Sequence, residues 1–237
     1  MRADNGLRYL QLSLLGGFEL RRDGGLVALP ISAQRLVAFL WLHHRPLKRH
    51  FVAWTLWPDV SEERAYANLR STVWRLRRAS PDLVLASRSY VRLAPEIVVD
   101  VSVFVQQAND LLESQRPTFS LPDFQHFAYG LLPDWYDEWL LEERERLHQL
   151  SLHVLEFVSE RLIAEGRYCH ALEAASIAAH DEPLRESAQR LLIRIHLLEG
   201  NEAEALRVYH RYRDRLQLEL GIAPSERIEK VLESNSQ

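Results

Sequence analysis

Between Leu10 and Leu20 the chain alternates. Leu10, Leu12 and Leu14, then Phe18 and Leu20, are separated by polar or small residues. Gly16-Gly17 and Asp23-Gly24-Gly25 interrupt the alternation. A period of two broken by glycine turns predicts three short antiparallel strands. Pro30 closes this stretch, and Ser32 is placed to cap a helix. In AQRLVAFLWLHH the spacing becomes helical, with Leu36, Val37, Phe39, Leu40 and Leu42 apolar, and Pro46 ends it. A second short helix, KRHFVAWTLW, opens on Lys48, Arg49 and His50 and stops before Pro58. Asp59 or Ser61 caps a third, SEERAYANLRSTVWRLRRAS, with Glu62 and Glu63 in its first turn, where the helix dipole favours them. Pro81 ends that helix, and DLVLASRSYVRLAPEIVVDV reads as a hairpin with a short additional strand. Residues 8–100 thus run β-β-β-α-α-α-β-β, a helix-turn-helix with a wing.

Beyond Val101 the strand pattern disappears. SVFVQQANDLLE is helical, RPTFSLPDFQHFAYGLLP has three prolines and reads as a structured loop, and from Asp134 onward helix follows helix. Glu165-Gly166 followed by Ala171-Leu172 returns as Glu199-Gly200 followed by Ala205-Leu206, a shift of 34 residues. Tyr168, Pro183 and Tyr209 also fall where a tetratricopeptide unit places them. Glycine ends the first helix of each unit because it accepts the left-handed conformation. The expected fold is an α+β winged helix-turn-helix over residues 1–100, followed by an all-α, TPR-like helical repeat domain over residues 101–237.

Charge separates the same halves. The 237-residue chain carries a net charge of −4. Residues 1–100 hold 15 Lys/Arg against 9 Asp/Glu, and the remainder 14 against 24. The positive charge concentrates in the third helix: five arginines fall between Arg64 and Arg78, and no acid occurs from Arg64 to Pro81. A solvated helix interleaves Glu with Arg, because opposite charges at i,i+4 stabilise it. Here the counter-charges are missing, which points to a polyanionic partner. At 100° per residue, Leu69, Val73 and Leu76 form one arc beside Ala65 and Tyr66. The opposite face holds Arg64, Asn68, Ser71, Arg75 and Arg78. Arginine pairs bidentately with guanine and asparagine with adenine, so this face suits the major groove. Arg70 and Arg77 lie on a flank, where internal pairing and a nucleic-acid contact are equally open. Arg88, at the tip of the hairpin, is placed for a minor groove, and Lys48 and Arg49 for a phosphate.

No other chemistry competes. The ten histidines form no HExxH pattern, the single cysteine, Cys169, reads as a packed small residue, and no G-x-x-x-x-G-K-[ST] occurs. No catalytic residue, metal ligand or cofactor site is expected. Trp135 and Trp139 bracket Tyr136 and share a helix face, which reads as core or interdomain packing ahead of a ligand cage. One cysteine permits no internal disulfide. No apolar run is long enough for a membrane span and no leader pattern opens the sequence, so a cytoplasmic protein is expected.

Several stretches resemble one family. LQLSLLGGFEL, AQRLVAFLWLHH, VAWTLWPD, ANLRSTVWRLRR and SYVRL are similar to the OmpR-type winged helix of SARP-type bacterial transcriptional activators. WYDEWLLEERERL, LIAEGRY, DEPLRESAQRLLIRIHLLEGNEAEALRVYHRYRDRL and LELGIAPS resemble the bacterial transcriptional activation domain of that family. The resemblance implies a recognition helix over residues 61–79 with Arg64, Asn68, Ser71, Thr72, Arg75 and Arg78 outward, and a wing arginine at Arg88. It also implies double-stranded promoter DNA as a ligand, often at direct repeats, RNA polymerase as a partner, and a possible homodimer on DNA. The rival reading is a protein-interaction adaptor whose winged helix is structural.

Overall fold

The structure is a computed structural model and describes residues 9–113 and 130–233. By packing, residues 9–106 and 130–145 form one compact unit, and residues 107–113 and 146–233 form another.

The first unit is built on two small sheets and three helices. Strands β1 (Leu10–Ser13), β2 (Glu19–Arg22) and β3 (Gly25–Leu26) form the expected antiparallel ladder. The alternation in β1 buries Leu10 and Leu12 and exposes Gln11. Helices α1 (Ile31–His43), α2 (Arg49–Leu56) and α3 (Glu62–Ala79) follow. Then come β5 (Val84–Ala86), β6 (Tyr90–Leu93) and β7 (Ile97–Val99). Two pairings could not be read from periodicity. Strand β7 lies parallel to β1, with Leu12 opposite Val99, which closes a sheet of order β3-β2-β1-β7. A two-residue strand, β4 (Leu47–Lys48), adds to the hairpin as β4-β6-β5. Lys48 is therefore extended and precedes α2, rather than lying in its first turn.

The core of this unit gathers Leu12, Leu20, Leu36, Phe39, Leu56, Leu69, Leu76 and Leu83, all essentially inaccessible. Helix α1 begins after Pro30, with Ser32 inside it, and ends at His44, whose left-handed φ of 47° turns the chain before Pro46. Helix α3 starts after Ser61 without a side-chain cap bond. Asp100 accepts the N–H groups of Leu14, Leu15 and Val101, and so ties the end of β1 to the start of helix α4 (Asp100–Glu113). Burial nevertheless raises its pKa above the ordinary aspartate value, with those N–H bonds opposing the rise.

Residues 130–145 pack with this unit through long-range contacts, whereas the sequence expectation divides the chain once, at residue 100. Arg35 donates to Asp137 from Nε (3.1 Å) and Nη2 (2.5 Å). Trp139 meets Phe39 edge-on at 5.2 Å and donates its indole N–H to Asp137. Trp135 stacks on Phe18. The two tryptophans are packing residues, while Tyr136 between them is 94% exposed. Residues 116–129 of the expected proline-containing loop lie outside the described residues.

The second unit is helical: α5 (Leu141–Ala164, its first turn in the first unit), α6 (Tyr168–Asp181), α7 (Glu186–Leu198), α8 (Glu202–Leu220) and α9 (Glu226–Glu233). The turns after α5 and α7 match at the 34-residue offset. Gly166 and Gly200 have φ of 72° and 78°. Arg167 N–H bonds back to the Leu162 carbonyl and Asn201 N–H to that of His196. Ala171 and Ala205 are fully buried, and a larger side chain at either would push the paired helices apart. Arg185 makes a bidentate bond to Glu156 (2.7 and 3.0 Å), and Ser187 donates to the same carboxylate. Burial alone would raise the Glu156 pKa, but the bonds from Arg185 and Ser187 outweigh it and hold the pKa below the usual glutamate value. Cys169, expected to be packed, is exposed.

Candidate nucleic-acid interface

Helix α3 sorts its residues by period. Ala65, Leu69, Val73 and Leu76 are buried, while Arg64, Ser71, Arg75 and Arg78 are exposed and Asn68 is half-buried. Thr72 corrects the sequence expectation: it is 2% exposed. It stands three residues after Leu69 and four before Leu76, which puts it beside Ala65 at the edge of the apolar arc. Its hydroxyl cannot reach a partner beyond the surface. The rest of the outward set lies on one side of the helix.

Among the described residues, no carboxylate pairs with Arg64, Arg70, Arg75, Arg77 or Arg78. Arg78 lies over the Trp74 ring at 5.6 Å, and that ring is 60% exposed. The face is thus a row of guanidiniums, one hydroxyl and one amide, with no internal counter-charge.

The hairpin is fastened beside it by cations. Ser87 closes the β5–β6 turn by accepting the N–H groups of Ser89 (3.3 Å) and Tyr90 (3.1 Å), which leaves Arg88 exposed at the tip. Arg49 donates its backbone N–H to the Ser89 carbonyl at 3.0 Å and a guanidinium N–H to that of Ser87 at 3.2 Å. Arg77 donates to the Ala86 carbonyl at 2.7 Å. Burial lowers the Arg49 pKa, and the positive charges of Arg70 and Arg77 lower it further. Three like charges therefore converge where the start of α2, the flank of α3 and the hairpin turn meet. Neutral carbonyls take some of their donors, but no carboxylate lies among them. The sequence alone leaves Arg70 and Arg77 open between internal pairing and a nucleic-acid contact, while their seven-residue spacing, two helical turns, sets them on one edge. Exposed Lys48, in β4, is opposite Tyr90.

Residues 124–234 match the bacterial transcriptional activator domain family. The chain is 28% identical over 239 residues to the regulatory protein AfsR of Streptomyces coelicolor, an alignment covering 94% of this chain and 24% of AfsR. This chain is thus similar to a bacterial regulatory protein over most of its length, and its second half matches a bacterial transcriptional activator domain. It spans about a quarter of the length of that relative. The solved structure of Mycobacterium tuberculosis EmbR in complex with a low-affinity phosphopeptide superposes with a TM-score of 0.76 at 21% identity, over 97% of this chain and 65% of that one. This likeness establishes a shared fold, a small N-terminal β region followed by helices. Among the described residues, no group of His, Cys, Asp or Glu is placed to hold a metal ion, and no helix is long and apolar enough to cross a membrane.

Proposed function

We propose that the chain is a sequence-specific, DNA-binding activator of transcription that works in the cytoplasm. In this reading residues 1–100 act as a winged helix-turn-helix and residues 101–237 as a TPR-like activation domain. Helix α3 enters the major groove, where Arg64, Arg75 and Arg78 face guanine edges or phosphates, Asn68 faces adenine, and Ser71 bonds to whichever is near. Arg88 enters the adjoining minor groove, and Lys48 and Arg49 meet the backbone. Arg70 and Arg77, added from their convergence on Arg49, are phosphate-binding residues. The helical unit holds RNA polymerase or a second copy of the chain, so that two copies read repeated sites.

One observation carries the reading: a helix with five arginines displays them without a carboxylate partner. Duplex DNA supplies the missing charge as phosphate, and its condensed counterions are released on binding. The test is binding of the full chain to duplexes selected from a random pool, measured across a salt series. Selection of a consensus sequence, with affinity falling steeply on log salt, is the expected result. Failure to bind duplex DNA at low salt favours a protein-interaction adaptor instead.

A further inference from the structure

A cavity of about 240 Å³ lies within the first unit, between the end of α1, the β6–β7 connection and the start of α4. Its volume is below the roughly 300–1,000 Å³ of sites for drug-sized ligands, so an occupant must be small. Arg45 and Arg92 line it, both residues are exposed, and among the described residues neither side chain makes a hydrogen bond or ion pair. No carboxylate lines it. Two acids neighbour the lining residues in sequence: Glu96 is exposed and does not line the cavity, and Asp100 spends its oxygens on three backbone N–H groups. Leu40, Ile97 and Val99 supply an apolar wall. Trp41, which is 5% exposed, also lines the cavity, packs edge-on against His44 at 5.2 Å, and keeps a buried indole N–H without a partner. Such an orphaned donor carries a desolvation cost that any acceptor reaching it would relieve.

We propose that this cavity binds a small carboxylate with an apolar body, its charge taken by Arg45 and Arg92 and its body held against Leu40, Ile97 and Val99. Two unpaired guanidiniums supply the planar donors that suit a carboxylate. The apolar wall selects an organic acid over a bare hydrated ion, which would lose its water there without compensation. This site uses none of the proposed DNA-contacting residues, so its failure leaves the DNA reading untouched.

Calorimetric titration of the full chain with benzoate, its neutral isostere benzamide, and inorganic phosphate tests the proposal. Benzoate is expected to bind saturably, and to perturb the Trp41 indole N–H resonance. Benzamide and phosphate should bind at least about tenfold more weakly, the loss of roughly one charge-assisted interaction or of the apolar contact. The double variant Arg45→Gln, Arg92→Gln should lose the same factor for benzoate, and Arg88→Gln should lose nothing. Absence of saturable benzoate binding overturns the proposal. So does equal affinity for benzamide or for phosphate, or unchanged benzoate binding in a folded double variant. If the double variant does not fold, the comparison of three ligands on the unaltered chain decides alone.

Discussion

Helices α3 and α8 are nearly the same length, 18 and 19 residues, and both are rich in arginine. They treat it differently, since three of the four arginines of α8 hold an ion pair and none of those of α3 does among the described residues. In α8, Arg207 pairs with Glu204 at 2.6 Å, Arg213 with Asp214 at 2.8 Å, and Arg215 with Glu219 at 3.0 Å. Each guanidinium in these pairs has its counter-charge within one helical turn, as expected for a face that meets only water. In α3 the acids stop at Glu63 and the arginines continue to Arg78 without one. Internal pairing is cheap to arrange on a helix, since it needs only a Glu three or four positions away. Its absence over four turns is therefore a feature of the surface presented by α3. The comparison gives a physical criterion for a nucleic-acid face: the arrangement of arginines relative to carboxylates matters more than their number.

The largest expected effect tests the paired side of that contrast. Arg185 and Glu156 are 17% and 15% exposed and are joined by two hydrogen bonds. Glu156→Ala leaves a guanidinium with only Gln149 as a side-chain partner, and should cost about 3 kcal/mol of stability, the low end for removing one member of a buried pair. Denaturant unfolding of the full chain measures it. The Glu156 pKa lies below 4.5 in the folded state, so its stabilising contribution is complete above pH 4.5 and is lost as pH falls through the lowered folded value. The stability gap between the unaltered chain and Glu156→Gln should therefore narrow on acidification. A gap that stays constant from neutral pH to pH 3 would show that the ion pair is not what holds α7 to α5.

On the unpaired side, Arg75→Ala and Asn68→Ala should each lower affinity for a selected duplex by about 1–3 kcal/mol and relax base preference, while leaving stability close to unchanged. Arg70→Ala should act differently. It should weaken binding to all sequences alike and reduce the slope of log affinity against log salt by about one, the signature of a lost phosphate contact. Arg77→Ala combines that loss with release of the Ala86 carbonyl, so the hairpin turn should also loosen, visible as faster amide exchange at Ser87 to Ser89. If Arg70→Ala alters base preference instead of the salt slope, the division of α3 into a base-facing side and a phosphate-facing flank is wrong.

How much of this was legible before coordinates depended on the range of the interaction. Alternation in β1 and the apolar arc of α3 are local periodicities, and both appear where the residues put them. Strand β4 is two residues long, too short for any period, and exists because Leu47 and Lys48 meet Val91 and Tyr90. The parallel pairing of β7 with β1 and the bond from Arg35 to Asp137 join residues more than 80 positions apart, and no local pattern encodes them. Thr72 failed for a different reason. Its angle on the wheel, beside Ala65, buries it, whereas the family resemblance implies an outward position there. The convergence of Arg49, Arg70 and Arg77 needed three elements to be placed in space, and only the spacing of the last two was visible in the chain.

The smallest expected effect is the control that makes the contrast sharp. Arg215 and Glu219 are 51% and 47% exposed, and their bond competes with water and salt. The order, Arg before Glu, is the less favourable one for an i,i+4 pair, and Glu219 sits in the last turn of α8, where the helix dipole disfavours an anion. Arg215→Ala should therefore cost no more than about 0.5 kcal/mol of stability. It should also leave duplex affinity and the salt slope unchanged, because a guanidinium already matched by a carboxylate releases no counterion from DNA. Measured beside Arg70→Ala at equal ionic strength, this variant separates loss of a positive charge from loss of an unmatched one. If both variants reduce the slope equally, net charge alone drives binding, and the exposed row on α3 has no special part in it.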